Sequence, residues 1–208
     1  MYTNYIFDID GTLINTEEAV LGSLQKLLKV NFKRDVDQHE LSFVLGIPGA
    51  VSLRQLGIED IDLANRYWND YMRDYQETIH IFEGIQQLLT SLKDHSITTG
   101  VVTSKTHQEF QDDFVPFGLA HDLTHVVCAN DTKLHKPHPE PLLKFLQISG
   151  ANAESSIYIG DTIYDYKCAK DAGIDFGLAL WGCKQPELIP AKYKFEHPKD
   201  VLSLINID

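Results

Sequence analysis

Two aspartates one residue apart, Asp8 and Asp10, close the short apolar run Tyr5-Ile6-Phe7 and are followed at once by Gly11 and Thr12. An apolar segment does not finish in unpaired carboxylates without a reason, because desolvating a charge is costly. Residues i and i+2 leaving a strand point the same way, so both carboxylates can serve one atom. Further along, Gly160-Asp161-Thr162-Ile163-Tyr164-Asp165 supplies two more carboxylates. Thr103-Ser104-Lys105 supplies hydroxyls and a cation, and Lys136 begins the stiff stretch Lys136-Pro137-His138-Pro139-Glu140-Pro141. If these groups meet, the four aspartates repel, by about 4 kcal/mol for a pair ~4 Å apart at a protein-like effective dielectric. A divalent cation with oxygen ligands resolves that repulsion. Mg²⁺ suits it best, since it works with few carboxylates, several waters and a phosphate oxygen. The chemistry implied is the handling of a phosphoryl group, with Lys136 supplying the remaining positive charge.

These residues must be positioned by strands. Five runs rich in β-branched and aromatic residues stand out: Tyr5–Ile9, Ile97–Thr103, Thr124–Cys128, Ser156–Ile159 and Phe176–Leu180. Several are nearly continuous in apolar character, as strands covered on both faces are. Helical patterns separate most of them. Ile85, Leu88, Leu89 and Leu92 share one helix face, and Pro141 opens another helix near its first turn. Strands alternating with helices predict an α/β fold with a doubly wound, Rossmann-like parallel sheet. In such sheets ligands bind beyond the carboxyl ends of the strands, which is where the carboxylates, hydroxyls and lysines fall.

One gap breaks the alternation. Nearly ninety residues separate the first two strand runs, whereas a crossover helix needs about a dozen. Val20, Leu24, Leu27 and Leu28 make one amphipathic stripe, and Trp68, Tyr71 and Tyr75 lie on another between Ile61 and Thr78. The excess predicts an inserted α-helical subdomain, residues 15–82, with an α/β core of residues 1–14 and 83–208.

Composition limits the partners. The 208 residues are 43% hydrophobic, enough for a real core, and the formal net charge is −12. That balance argues against nucleic acid and anionic membrane surfaces, both of which need a basic face. Cys128, Cys168 and Cys183 form no CxxC pair, and no run approaches the ~18 apolar residues of a membrane span. A cytoplasmic protein is expected.

The ordered set Asp-x-Asp-Gly-Thr, Thr-Ser, Lys-Pro and Gly-Asp-x-x-x-Asp resembles the four motifs of the haloacid dehalogenase superfamily of phosphohydrolases. The insertion after the first motif resembles that superfamily's small helical cap. Within the superfamily, the phosphoglycolate phosphatase-like branch is the most similar; it also holds a pyrophosphatase and sugar-phosphate mutases. The resemblance implies that Asp8 attacks phosphorus to form an aspartyl-phosphate and that Asp10 serves as general acid and then base. It implies that Thr103 and nearby amides, with Gly11, Thr12, Ser104 and Lys105, hold phosphoryl oxygens, and that Lys136 neutralises charge. Mg²⁺ would be held by Asp8, the Asp10 backbone carbonyl and Asp161, with Asp165 either a ligand or a support.

The function implied is Mg²⁺-dependent hydrolysis of a small phosphorylated metabolite such as phosphoglycolate, pyrophosphate or a sugar phosphate. A β-phosphoglucomutase-like phosphomutase uses both aspartates too, although Thr12 leans towards hydrolysis. A receiver-type phospho-accepting module also combines aspartates, lysine and Mg²⁺. It is shorter, and its acceptor follows the third strand rather than the first. A non-catalytic member that only binds a partner is a further reading, against which every motif residue is present. Arg54 is a candidate contact for the far end of the substrate, as are Lys105 and His107 for the leaving group. Trp68 reads as packing, and Trp181-Gly182 as the end of the last strand.

Overall fold

The computed structural model describes residues 1–205. A six-stranded parallel sheet forms its centre, built from β1 (Asn4–Phe7), β4 (Thr98–Val102), β5 (His125–Val127), β6 (Ser156–Gly160), β7 (Asp175–Ala179) and β8 (Tyr193–Phe195). The strand order is β5-β4-β1-β6-β7-β8. From β1 the chain fills one side of the sheet first and then crosses to the other. The carboxyl end of β1 therefore stands where the order reverses, the position at which open α/β sheets bind ligands.

The register explains the apolar strands. Tyr5 and Phe7 face one layer with Ile157, Ile159 and Val101, while Ile6 faces the other with Tyr158, Val102 and Val127. Helix α5 (Ile85–Asp94) covers the first face with Ile85, Leu88, Leu89 and Leu92, each wholly buried. Helices α7 (Glu140–Ser149) and α8 (Ile163–Ala172) cover the second through Leu142, Phe145, Cys168 and Ala169. Because neither face of the central strands meets water, their sequences show no polar alternation.

Two further strands, β2 (Ile14–Asn15) and β3 (His80–Ile81), pair antiparallel, Ile14 opposite Ile81 and Asn15 opposite His80. Between them run α1 (Glu17–Phe32), α2 (Gln38–Leu41), α3 (Gly49–Gln55) and α4 (Ile61–Met72). These helices enclose an apolar cluster of their own, with Leu24, Leu27, Leu28, Leu53 and Trp68 at its centre. Trp68 is tied there by its indole Nε1, which donates to Ser23 Oγ at 2.9 Å. The helical pattern expected up to Thr78 changes at Met72 into a tighter 3₁₀ stretch, Arg73–Thr78. The short α6 (His107–Glu109) follows β4 and widens into a π-helical turn, Phe110–Phe114.

Candidate active site

Asp8 directly follows β1 and keeps the ladder for one more residue, its amide donating to Ile159 O at 2.9 Å. The chain then turns sharply. Leu13 N donates to Ile9 O at 2.8 Å and Gly11 N to Ile14 O at 2.9 Å. Gly11 makes the turn with φ +79°, and a Cβ there would lie 2.2 Å from Asp161 Oδ2. Only glycine satisfies both demands, which explains its place after the paired aspartates.

Lys136 binds this turn from below. Its Nζ lies 2.9 Å from Asp8 Oδ2 and 2.7 Å from Asp165 Oδ1, and donates to the Tyr158 hydroxyl at 3.2 Å. All four groups are buried. Burial works against the Lys136 charge, but Asp165 and Asp8 more than offset it and hold the ammonium above the ordinary lysine range. For Asp8, burial is the largest influence and raises its carboxyl to about 7, with Asp165 and Asp10 adding to the rise and Lys136 opposing it.

Asp165 is fully engaged. Oδ1 accepts from Lys136 and from Tyr158 Oη at 3.0 Å, and Oδ2 accepts from Thr162 N at 3.0 Å and Thr162 Oγ1 at 2.5 Å. The last pair closes a capping box that starts α8, so Asp165 is at once a helix cap and the anchor of Lys136. Both oxygens are thus hydrogen-bonded, and Asp165 anchors Lys136 beside Asp8. Among the described residues, Asp8 keeps Oδ1 without a protein donor, and Asp161, whose Oδ1 accepts from Thr12 Oγ1 at 3.1 Å, keeps Oδ2 without one.

Lys105 approaches from β4. Its Nζ lies 3.1 Å from Asp10 Oδ1 and 3.3 Å from Asp113 Oδ2, and Asp10 and Asp113, with Glu109, overcome burial to hold it above the ordinary lysine range. Thr103 is buried, and its hydroxyl accepts from Lys105 N at 3.1 Å, shaping the loop. Ser104 donates to Gly46 O at 2.9 Å, joining the sheet to the loop before α3.

The donor set fits a divalent cation. Asp8, Asp161 and Asp165 place oxygens within 4.8 Å of one another. Lys105 and Lys136 are outnumbered by the carboxyl groups they face, Asp8, Asp10, Asp113 and Asp165, with Asp161 beside them, and a bound cation would relieve that excess. Burial, with Asp165 and Asp8 adding to it, pushes the Asp161 carboxyl well above the carboxylate range. An all-oxygen set of this kind suits Mg²⁺.

A cavity opens over these groups, bounded by the β1 turn and by Ser104, Lys105, Trp181 and Gly182 on the sheet side. Gly46, Ile47, Asn65 and Trp68 close it from the helical side. Asp8, Asp10, Gly11, Thr12, Lys105, Lys136, Asp161 and Asp165 thus lie together at one rim. Arg54 does not: Ser52 and Leu53 face the helical core, which turns position 54 to solvent. His107 also stays outside the cavity, its ring Nε2 lying 2.9 Å from Asp131 Oδ1. Trp181 belongs to the site although its position suggests only a strand end. It lines the cavity and its Nε1 donates to Thr12 O at 2.9 Å. Asn65 and Asn69 on α4 line the cavity too, and no motif marks them.

Such a fold and rim define an α/β enzyme of phosphoryl chemistry. The sequence profile of the haloacid dehalogenase-like hydrolases matches residues 5–179. The chain belongs to that family and is a hydrolase of the phosphatase type. It is 28% identical to the pyrophosphatase PpaX of Bacillus cereus over 204 residues, covering 95% of this chain and 92% of that protein. It is 27% identical to a protein named "putative pyrophosphatase PpaX" from Caldanaerobacter subterraneus, covering 99% of this chain and 94% of the relative. A crystal structure from Lactobacillus plantarum, titled a "putative phosphoglycolate phosphatase", superposes with a TM-score of 0.89 at 26% identity, covering 98% of this chain and 99% of that one.

Proposed function

We propose that this chain hydrolyses a small phosphorylated metabolite, with Mg²⁺, through an aspartyl-phosphate on Asp8. The observation that carries the reading is Asp8 itself: buried, paired through Oδ2 with Lys136, and lining the cavity. A carboxylate held in this way is oriented for in-line attack at negligible further entropic cost. The bond from Asp8 Oδ1 to phosphorus forms as the bond to the leaving oxygen breaks, and Asp10 delivers a proton to that oxygen. Asp10 then takes a proton from the water that hydrolyses the acyl-phosphate. Lys136 offsets the charge on nucleophile and phosphoryl group, and the backbone amides of Asp10 and Ser104, which are not spent on the turn's own hydrogen bonds, serve the non-bridging oxygens. Asp8, the Asp10 carbonyl and Asp161 would hold Mg²⁺, which would supply electrostatic stabilisation of the transferring group. Residues 15–82 act as a cap that excludes bulk water, with β2 and β3 as its root. The three free cysteines fit a reducing, cytoplasmic setting.

Hydrolysis of p-nitrophenyl phosphate tests the reading. Turnover should require Mg²⁺, stop with EDTA, and fall by about three orders of magnitude or more in Asp8→Asn. Folded protein that shows no turnover with Mg²⁺ present would refute it.

A further inference from the structure

Beyond the phosphoryl end of the cavity, the walls that receive the rest of the substrate have a chemistry of their own. They add three carboxylates, Glu17, Glu109 and Asp113, and two ammonium groups, Lys105 and Lys184. Neither lysine is free. Lys105 is buried between Asp10 and Asp113, and Lys184 pairs with Glu17 at 2.5 Å. Moving Lys184 towards a ligand would leave Glu17 on the same wall, so that end would gain no net positive charge. A leaving group bearing its own carboxylate or phosphate would meet uncompensated negative charge there, which is an effective way to reject it.

The remaining polar groups on this wall are neutral. Asn65 and Asn69 sit one turn apart on α4 and both line the cavity. Among the described residues neither carboxamide has a protein hydrogen-bond partner. Asn65 Oδ1 lies close to Gly49, where a Cβ would come within 2.8 Å of it. A carboxamide offers donor and acceptor together, so it can satisfy both roles of a hydroxyl while adding no positive charge to offset an anion. Trp181 and Phe82 place aromatic surface on the same cavity, suited to the C–H faces of a carbon chain or sugar ring.

We infer that the leaving group is an uncharged polyhydroxy compound, so the substrate is a polyol or sugar monophosphate, with Asn65 and Asn69 as its specificity-determining contacts. The inference rests on the phosphatase reading above and narrows it. It also separates this chain from relatives whose names point to pyrophosphate and phosphoglycolate, whose leaving groups are anionic.

Steady-state kinetics with Mg²⁺ would compare sorbitol 6-phosphate and glycerol 2-phosphate with phosphoglycolate and pyrophosphate, with p-nitrophenyl phosphate as control. The control decides the phosphatase reading by itself. Given turnover of the control, kcat/KM for the neutral-leaving-group substrates should exceed that for the anionic ones by about tenfold or more. A ratio of one or less, or no reaction with either polyol phosphate, would overturn the inference. Asn65→Ala should raise KM for sorbitol 6-phosphate more than it lowers kcat, as loss of uniform binding does. Glu17→Gln frees Lys184 and should shift the ratio about fivefold towards phosphoglycolate. An unmoved ratio in Glu17→Gln would show that wall charge does not select the substrate.

Discussion

Asp8 sits between opposing influences, and the balance has a measurable sign. Burial and the neighbouring aspartates raise its carboxyl to about 7, although Lys136 lies 2.9 Å away. A carboxyl raised in the folded state retains a proton that the unfolded chain has already released. Metal-free protein should therefore lose stability as pH rises from the ordinary carboxyl range, about 4, to about 7. Below that window both states are protonated and the penalty vanishes; above it the penalty is fully expressed. Mg²⁺ binds the ionised form, so the rise in Tm that it causes should be larger at about pH 7.5 than at about pH 5. Asp8→Asn should flatten the decline in EDTA. An equal Mg²⁺ effect at both pH values would exclude Asp8 from the metal site. Residues of this kind were readable from sequence because each is a charge placed where a charge is expensive. Asp8, Asp10, Lys136, Asp161 and Asp165 all end apolar strands or follow them closely. Asn65, Asn69 and Asp113 were not readable: they lie on helical or π-helical turns amid other polar residues, and only the fold turns them towards the cavity. Arg54 shows the converse, a cation whose type invites a functional reading and whose helix face denies it.

At the scale of elements, the site is an assembly of loops that approach closer than side chains allow. The clearest case is Gly182, after β7. A Cβ there would lie 1.8 Å from Gly11 O, a backbone atom that cannot swing aside. Gly182→Ala must push the Trp181 loop and the Gly11 turn apart, and overpacking of that kind costs about 1–3 kcal/mol. Because the turn carries Asp10, activity towards p-nitrophenyl phosphate should fall about tenfold or more, alongside a lowered Tm. Wild-type activity in Gly182→Ala would mean that the two loops need not touch. The central elements were legible because α5 repeats Ile85, Leu88, Leu89 and Leu92 at helical spacing and the strands are continuously apolar. β8 escaped because its three residues, Tyr193-Lys194-Phe195, form an edge strand with Lys194 exposed. β2 and β3 escaped for a simpler reason: each is two residues long and exists only through its partner across sixty-odd residues of chain. Asp165 was open to two readings, metal ligand or helix cap, and its geometry unites the cap with the anchoring of Lys136.

At the scale of the molecule, three apolar clusters divide the labour. Two lie on the faces of the sheet, and the third is enclosed by α1 to α4. The third reaches the sheet through the short β2–β3 ribbon, through Ser104 with Gly46, and through Met72, which packs against both it and the sheet-face cluster that takes in Ala19 of α1. A unit with its own core can open without unfolding the rest, and the cap proposed above needs that property if substrate is to enter and product leave. Trp68 is the place to test this, since it is buried in the helical cluster and its Nε1 bonds Ser23. Trp68→Ala removes the ring and the hydrogen bond, a loss of about 3–5 kcal/mol for a buried aromatic side chain. Hydrogen exchange followed by mass spectrometry should show amides of α1 and α4 losing protection by orders of magnitude. Amides of β1, β4 and β6 should stay near their wild-type protection, because their own clusters are untouched. Uniform loss across all these elements would mean that helices and sheet unfold as one unit. Opening of the cap by itself would then be ruled out as the route by which substrate reaches Asp8.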